Sequence, residues 1–331
     1  MMSRKTRITR RTFSTSALAA TAALGMPHVV RAQDYPTRPV RLILPFGAGG
    51  VADATSRLAA DRLGEILKQR FVVENMPGPG GMAAARAMIT AAPDGYTLGL
   101  ITNGTAISQA IYKQYPFDLV KDLAPISALG NFELVFATGA DSSFKTMADL
   151  LKAAREHPGK FNLGTIAVGS TQHLGAELLR SLAKVNLQIV PYKTTPDVIV
   201  GTIRDDVQMM TDFFAAMNAV LTDKKLRPLA TSGPTRSAFL PDVPTVAEAG
   251  VPGYEVLSWN GLGAPAATPQ PIIDTLNKAV REVLAMPDVI KRYAELGITA
   301  QASTGEELRK RLANEIKKWS TVIENAKIQR L

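Results

Sequence analysis

The stretch Pro45-Phe46-Gly47-Ala48-Gly49-Gly50-Val51-Ala52-Asp53 constrains this chain more than any other. The apolar run before it, Val40 to Leu44, predicts a buried strand. After it, Leu58, Ala59, Leu63, Ile66 and Leu67 recur at the spacing of one helical face. A strand, a glycine-rich turn and a helix start together make an anion-binding device. Glycine lets the backbone approach a ligand closely, and the free N–H groups of the first helical turn point at it. Gly47, Gly49 and Ala52 also fit G-x-G-x-x-A. Glu74 ends the next apolar run about 20 residues on, where dinucleotide sites place an acidic ribose partner. The loop alone therefore leaves three readings: a nucleotide, another small anion, or a structural turn.

The pattern repeats along the chain. Phe71 to Glu74 predicts a strand, Asn75 to Gly81 a second glycine loop, and Ala83 to Ala91 a helix. Tyr96 to Ile101 predicts a strand before Thr102-Asn103-Gly104-Thr105 and a short helix. Ile126 to Leu129 and Leu134 to Ala137 read as two strands passing into a second domain. There Asn162 to Gly164, the loop Ala167-Val168-Gly169-Ser170-Thr171 and the helix Gln172 to Leu182 echo the first unit. Val207 to Met210 predicts a strand with Asp212 at its end. Strands alternating with helices argue for a parallel sheet with ligand loops at the carboxyl ends of its strands. Thr268-Pro269 reads as a helix start and Pro287 as a break. Thr304 with Glu307 makes a capping box for a last helix running to about Asn325.

Residues 1–32 read as a leader. Arg4, Lys5, Arg7, Arg10 and Arg11 precede an Ala- and Thr-rich run too short to span a membrane, and Val30-Arg31-Ala32 suits signal cleavage. Thr9-Arg10-Arg11-Thr12-Phe13 resembles the twin-arginine export signal; an ordinary Sec signal is the alternative. Of the 38 basic residues, six leave with the leader, so 32 face 29 acidic ones and the +9 charge falls to +3. The basic balance is thus no sign of nucleic acid, and no basic stripe interleaves with aromatics. With no cysteine, disulfides, thiolate metal sites and cysteine nucleophiles are excluded.

The mature chain resembles the Bug-type solute receptors, the TctC family of tripartite tricarboxylate transporters. The resemblance rests on PFGAGGVAD at Pro45 to Asp53, VVENMPGPGG at Val72 to Gly81, APDGYTL at Ala92 to Leu98 and YPFDLVKDLAPIS at Tyr115 to Ser127. It continues through STQHLGAELL at Ser170 to Leu179, VPYK at Val190 to Lys193, LPDVPTVAEAGVPGYEV at Leu240 to Val256 and WNGLGAPAATPQPII at Trp259 to Ile273. It implies an α/β, two-domain periplasmic binding protein of type II, the Venus-flytrap form, with helices flanking parallel-rich sheets and two interdomain crossings. The expected division is 33–133 with 255–331 as domain 1, and 134–254 as domain 2. A small organic carboxylate is expected between them, held by the loops at Phe46 to Asp53 and Val168 to His173, partly through waters. The expected partners are the permease subunits of a tripartite transporter, or a sensor kinase, and the receptor is expected to be a periplasmic monomer. Four departures stand out. Gly47 replaces a proline frequent in the family, Ala106 a frequent histidine, Thr194-Thr195-Pro196 a glycine after VPYK, and Asp205-Asp206 a glycine pair.

The candidate ligand contacts are Phe46, Ala48, Gly49, Gly50 and Asp53 in the first loop, and Gly169, Ser170, Thr171 and His173 in the second. Asn103 and Asp212, at strand ends, complete the set. Asp53 has a second reading, an ion pair with Arg57 one helical turn on, and Ser170 and Thr171 can also cap a helix. No catalytic residue, metal ligand or cofactor is expected. Ser170 and His173 lack a G-x-S-x-G elbow and an acidic third member, and no His/Asp/Glu cluster has metal spacing. The competing function is an exported oxidoreductase holding a nucleotide cofactor on the G-x-G-x-x-A loop.

Overall fold

The structure, a computed structural model, describes residues 35–48, 50–166 and 168–331. The expected leader, Gly49 and Ala167 lie outside the described residues. The run Val40, Leu42, Ile43, Leu44 is fully buried and forms β1 (Val40–Leu44). An apolar run without alternation suits a strand covered on both faces. β1 pairs in parallel with β2 (Phe71–Asn75) on one side and β3 (Thr97–Thr102) on the other. β1 feeds α1 (Val51–Leu67), whose Ala59, Ala60 and Leu63 face the core. β2 leads through a 3-10 turn at Pro79–Gly81 to α2 (Met82–Ile89). Gly80 has φ +59°, and a Cβ there would fall 2.7 Å from the Tyr112 ring, so the second glycine loop needs that glycine twice over. β3 runs directly into α3 (Asn103–Ile111), which Thr102 and Thr105 cap reciprocally.

The two expected strands around Gly130 are one, β4 (Leu123–Gly139). Gly130 and Asn131 interrupt the apolar pattern, but bulges absorb them without ending the strand: its register against β9 (Leu257–Pro265) shifts between Pro125 and Ser127 and between Ala128 and Gly130. The first part of β4 pairs with β9, which pairs in turn with β3. The second part pairs antiparallel with β7 (Met209–Phe213) and β8 (Leu226–Thr231). In this half, α4 (Met147–Glu156) precedes β5 (Asn162–Ile166), and α5 (Thr171–Ala183) precedes β6 (Gln188–Tyr192). α6 (Thr195–Ile203) leads to β7, and β7 into α7 (Phe214–Thr222). β5 lies between β6 and β7, parallel to both, and the whole order is β2-β1-β3-β9-β4-β7-β5-β6. The chain closes with α8 (Gln270–Leu284), α9 (Pro287–Glu295), β10 (Thr299–Ala300) and α10 (Gly305–Asn325). Pro269, not Thr268, precedes the first turn of α8, because the Thr268 hydroxyl donates back to Pro265 O instead. The Thr304–Glu307 capping box starts α10, which packs on α3, β4 and α5 through Leu308, Leu312 and Trp319.

Two segments cross between the sheet halves, and Ser232 ties them. Its hydroxyl accepts from Leu134 N at 2.8 Å and donates to Val256 O at 2.5 Å, while Val256 N donates to Ser232 O. Beside them, Glu133 is the last β4 residue paired with β9 before Leu134 pairs with β7. Glu133 Oε2 is buried with no hydrogen-bond partner among the described residues. Burial pushes this carboxyl up from 4.5 to about 7. A raised folded pKa means the native state holds the proton more tightly than the unfolded chain. The associated stability is complete below 4.5 and is lost as pH climbs through about 7. Wild type should therefore lose stability relative to Glu133→Gln between pH 5 and pH 8, as read by urea midpoints. A difference between the two proteins that does not change with pH would contradict this.

Candidate functional site

Helices α1, α3, α5, α6 and α7 begin just beyond the carboxyl ends of β1, β3, β5, β6 and β7, and the sequence-derived candidates cluster there. In the first loop Gly50 precedes α1 and supplies no side-chain cap. Phe46, Ala48 and Gly50 are exposed. A Cβ on Gly104 would lie 3.8 Å from Phe46 Cζ, so the ring rests over the first turn of α3. Asp53 is buried within a network. Arg57 Nε donates to both its carboxylate oxygens at 3.0 Å, and Asn75 Nδ2 donates to Asp53 Oδ1 at 2.9 Å. Asn75 also donates to Phe46 O at 3.0 Å and accepts from Arg57 Nη2 at 2.8 Å. Asp53 thus makes the ion pair that the i,i+4 spacing suggested and helps brace the loop from beneath. Asn75, the last residue of β2, was not singled out in the sequence, although it stands one strand away from the loop.

Asn103, the first residue of α3, is completely buried. Its Nδ2 donates to Thr171 Oγ1 at 3.1 Å, and its Oδ1 accepts from Trp319 Nε1 at 2.9 Å. Thr171 is the first residue of α5. One side-chain amide therefore joins two helix N-termini that start from different sheet halves, and anchors both to α10. Ser170 caps α5 by accepting from His173 N at 3.1 Å. Gly169 before it has φ +83°.

Asp212 lies within β7 and has its acceptors occupied. Oδ1 accepts from Gln172 Nε2 at 2.8 Å and from Phe213 N at 2.7 Å, and Oδ2 accepts from Thr195 Oγ1 at 2.5 Å. Burial raises its pKa, and these three donors oppose the shift. Asp212 therefore braces the starts of α5, α6 and α7. The Thr194-Thr195 pair is built into this brace, since Thr194 caps α6 and Thr195 reaches Asp212. Asp205 adopts a positive φ of +65°, a backbone region that glycine enters more readily. Gln172 and Thr195 were missed as site residues because only the folded strand order sets them against Asp212.

His173 lines a cavity together with Val168 of the same loop, Glu177, Arg180, Lys113 and the stretch Ala326–Leu331, and its Nε2 is 4.0 Å from Glu177 Oε1. Burial, with a smaller contribution from Arg180, pushes its pKa down to about 4, so it is a neutral imidazole at pH 7. Glu74, the residue a dinucleotide reading needs, is held by Arg41, whose Nε and Nη2 donate to it at 2.6 and 3.0 Å. Among the described residues no three His, Asp or Glu side chains converge as a metal site, and no helix is long and apolar enough to cross a membrane.

Helix N-termini gathered at strand ends, in two sheets joined by two crossings, define a two-domain solute-binding protein. Comparison with known proteins agrees. An R. palustris protein solved with adipate superposes at a TM-score of 0.80 with 32% identity, covering 90% of this chain and all of the other. MatC from Rhodopseudomonas palustris, solved with bound malate, superposes at 0.75 with 30% identity, over 87% of this chain and all of MatC. Protein BugT of Bordetella pertussis is 32% identical over 310 residues, 92% of this chain and 93% of BugT. Residues 55–328 match the family described as the tripartite tricarboxylate transporter family receptor, TctC, and the chain belongs to that family of periplasmic solute receptors.

Proposed function

We propose that this receptor captures a small organic carboxylate without turnover and presents it to the membrane subunits of a tripartite transporter. The observation that carries the reading is the Asn103–Thr171 bond, which sets the N-termini of α3 and α5, from opposite sheet halves, side by side. Each offers first-turn N–H groups and a positive dipole end to an anion. The loop Phe46 to Asp53 lies against α3 through the Phe46 ring and supplies a third such helix start. The dividing lines of the two jaws are 33–133 with 255–331, and 134–254. The relatives solved with adipate and malate point to a dicarboxylate of similar length. A nucleotide is disfavoured by the Arg41–Glu74 pair.

The test is thermal unfolding against a panel of mono-, di- and tricarboxylates with NAD as comparator. At a hundredfold excess over Kd, a ligand selective for the native state adds about 2.7 kcal/mol, a shift of several degrees. Recovery of the ligand chemically unchanged is expected. A shift from NAD with none from any carboxylate would reverse the reading, and an altered ligand would make the protein an enzyme.

We further propose that residues 1–32 direct twin-arginine export to the periplasm and are cleaved, on the strength of Arg10-Arg11 before a weakly apolar run. With lysine at both positions the precursor should stay in the cytoplasm; normal export of that variant would assign the Sec route.

A further inference from the structure

β4 passes from one sheet half to the other at Glu133, which still pairs with Leu257 of β9, whereas Leu134 already pairs with Phe213 of β7. In the second half Val135 stands opposite Thr231 of β8. That register, carried two residues on, sets Glu133 opposite Gly233. The side chain agrees: a Cβ on Gly233 would lie 2.8 Å from the Glu133 carboxyl carbon and 2.9 and 3.0 Å from its two oxygens. The carboxyl therefore occupies the space that any other residue at 233 would fill, one residue from the Ser232 tie.

The polar groups around it are already engaged. Ser232 Oγ serves Leu134 N and Val256 O. Asn131, two residues back on the same face of β4, gives Nδ2 to Gln301 Oε1 and its Oδ1 to Arg311. Thr231 Oγ1, like Glu133 Oε2, is buried with no hydrogen-bond partner among the described residues. Burial alone raises the Glu133 pKa, with no charged neighbour contributing. The charged groups of the packed elements act elsewhere. Arg311 of α10 lies near Glu315 and Glu255, and Lys318 reaches Glu315 and Glu255 O. Arg236 pairs with Glu248, Arg227 of β8 donates to Ala140 O and Phe144 O, and Asp212 of β7 keeps its three donors.

We propose that Glu133 is a proton-operated latch between the two sheet halves. With its proton, the neutral carboxyl packs over Gly233 and the crossings keep the arrangement described. Without it, the carboxylate needs water at Oε2, and Gly233 stands in the way. The chain relieves this by swinging Gly233, and the half that carries it, away from Glu133. The unliganded receptor thus separates its halves as pH rises through neutrality and rejoins them as pH falls. No ligand takes part, so the inference stands apart from the carboxylate reading of the strand-end site.

The chain has no cysteine, so Asp61→Cys on α1 and Lys152→Cys on α4, both at exposed positions, place one spin label on each half. Double electron–electron resonance reads the distance between them, on the full chain without ligand, from pH 5 to pH 9. Raising pH should move the distribution to longer distances with a midpoint of about 7, and lowering pH again should restore it. Glu133→Gln in the labelled chain should hold the pH 5 distribution throughout. Gly233→Ala should expel the carboxyl to water and remove the pH response, and it decides the matter if Glu133→Gln fails to fold. The proposal is overturned if the labelled chain shows no change with pH, or if either folded variant responds as that chain does.

Discussion

Gly169→Val is expected to abolish carboxylate binding while leaving the fold in place. Gly169 has φ +83°, a region closed to β-branched residues. Space is not the obstacle, since among the described residues a Cβ there would meet only Ile111 Cδ1, at 3.7 Å. The backbone itself must change, at a cost on the order of 1–3 kcal/mol, and the change falls immediately before the Ser170 cap. Shifting Ser170 re-aims the first-turn N–H groups of α5, which are the proposed ligand contacts on that side. An affinity loss of about a hundredfold or more follows if those groups act together. Calorimetric titration with the carboxylate found in the panel reads the loss, and circular dichroism checks the fold. Wild-type affinity in Gly169→Val would reduce this loop to a turn and remove α5 from the site.

Asn103→Ala should give the largest loss of stability among the site variants. It removes two hydrogen bonds at a fully buried position and leaves Trp319 Nε1 without its acceptor. A buried donor left unpaired costs about 1–3 kcal/mol, and the lost bond to Thr171 adds about 1, so a total near 3 kcal/mol is expected in urea unfolding. The effect on ligand affinity should appear as well, since Asn103 joins the two helix starts. A double-mutant cycle with Thr171→Ala isolates that link, and a coupling of about 1 kcal/mol is expected. Strictly additive losses would show that the two side chains do not meet in the unliganded protein in solution.

How much of this was legible in the sequence depended on distance along the chain. Short spacings encode helices and their caps, so the Thr304–Glu307 box, the Ser170 cap and the Asp53–Arg57 pair could be read directly. The strand–loop–helix units followed from the same local logic, and the family resemblance supplied the two-domain arrangement. The partner of Asn103 could not be read, because Trp319 lies 216 residues away and meets it only once α10 has docked. The surroundings of His173 were equally hidden: one turn of α5 carries Gln172 to Asp212 and His173 to a cavity shared with Val168, Lys113 and the stretch Ala326–Leu331, neighbours far apart in the chain. The continuity of β4 through Gly130 and Asn131 depended on β9, a strand made 118 or more residues later that absorbs their irregular spacing through bulges.

That late partnership bears on the order in which the molecule can be assembled. β9 pairs with β3 at Gly99–Gly263 and lies between β3 and β4, so the first sheet remains split until residues beyond 257 have left the ribosome. The strands β5 to β8 all lie in the intervening chain and can pair with the second part of β4 before β9 exists. Closing the long loop between β3 and β9 is costly for an unstructured chain. A half that has already packed shortens that search, because Ser232 then holds Val256 beside Leu134 and delivers β9 to its slot. The half that begins first in the sequence is thus finished last, and the inserted half is its template for closure.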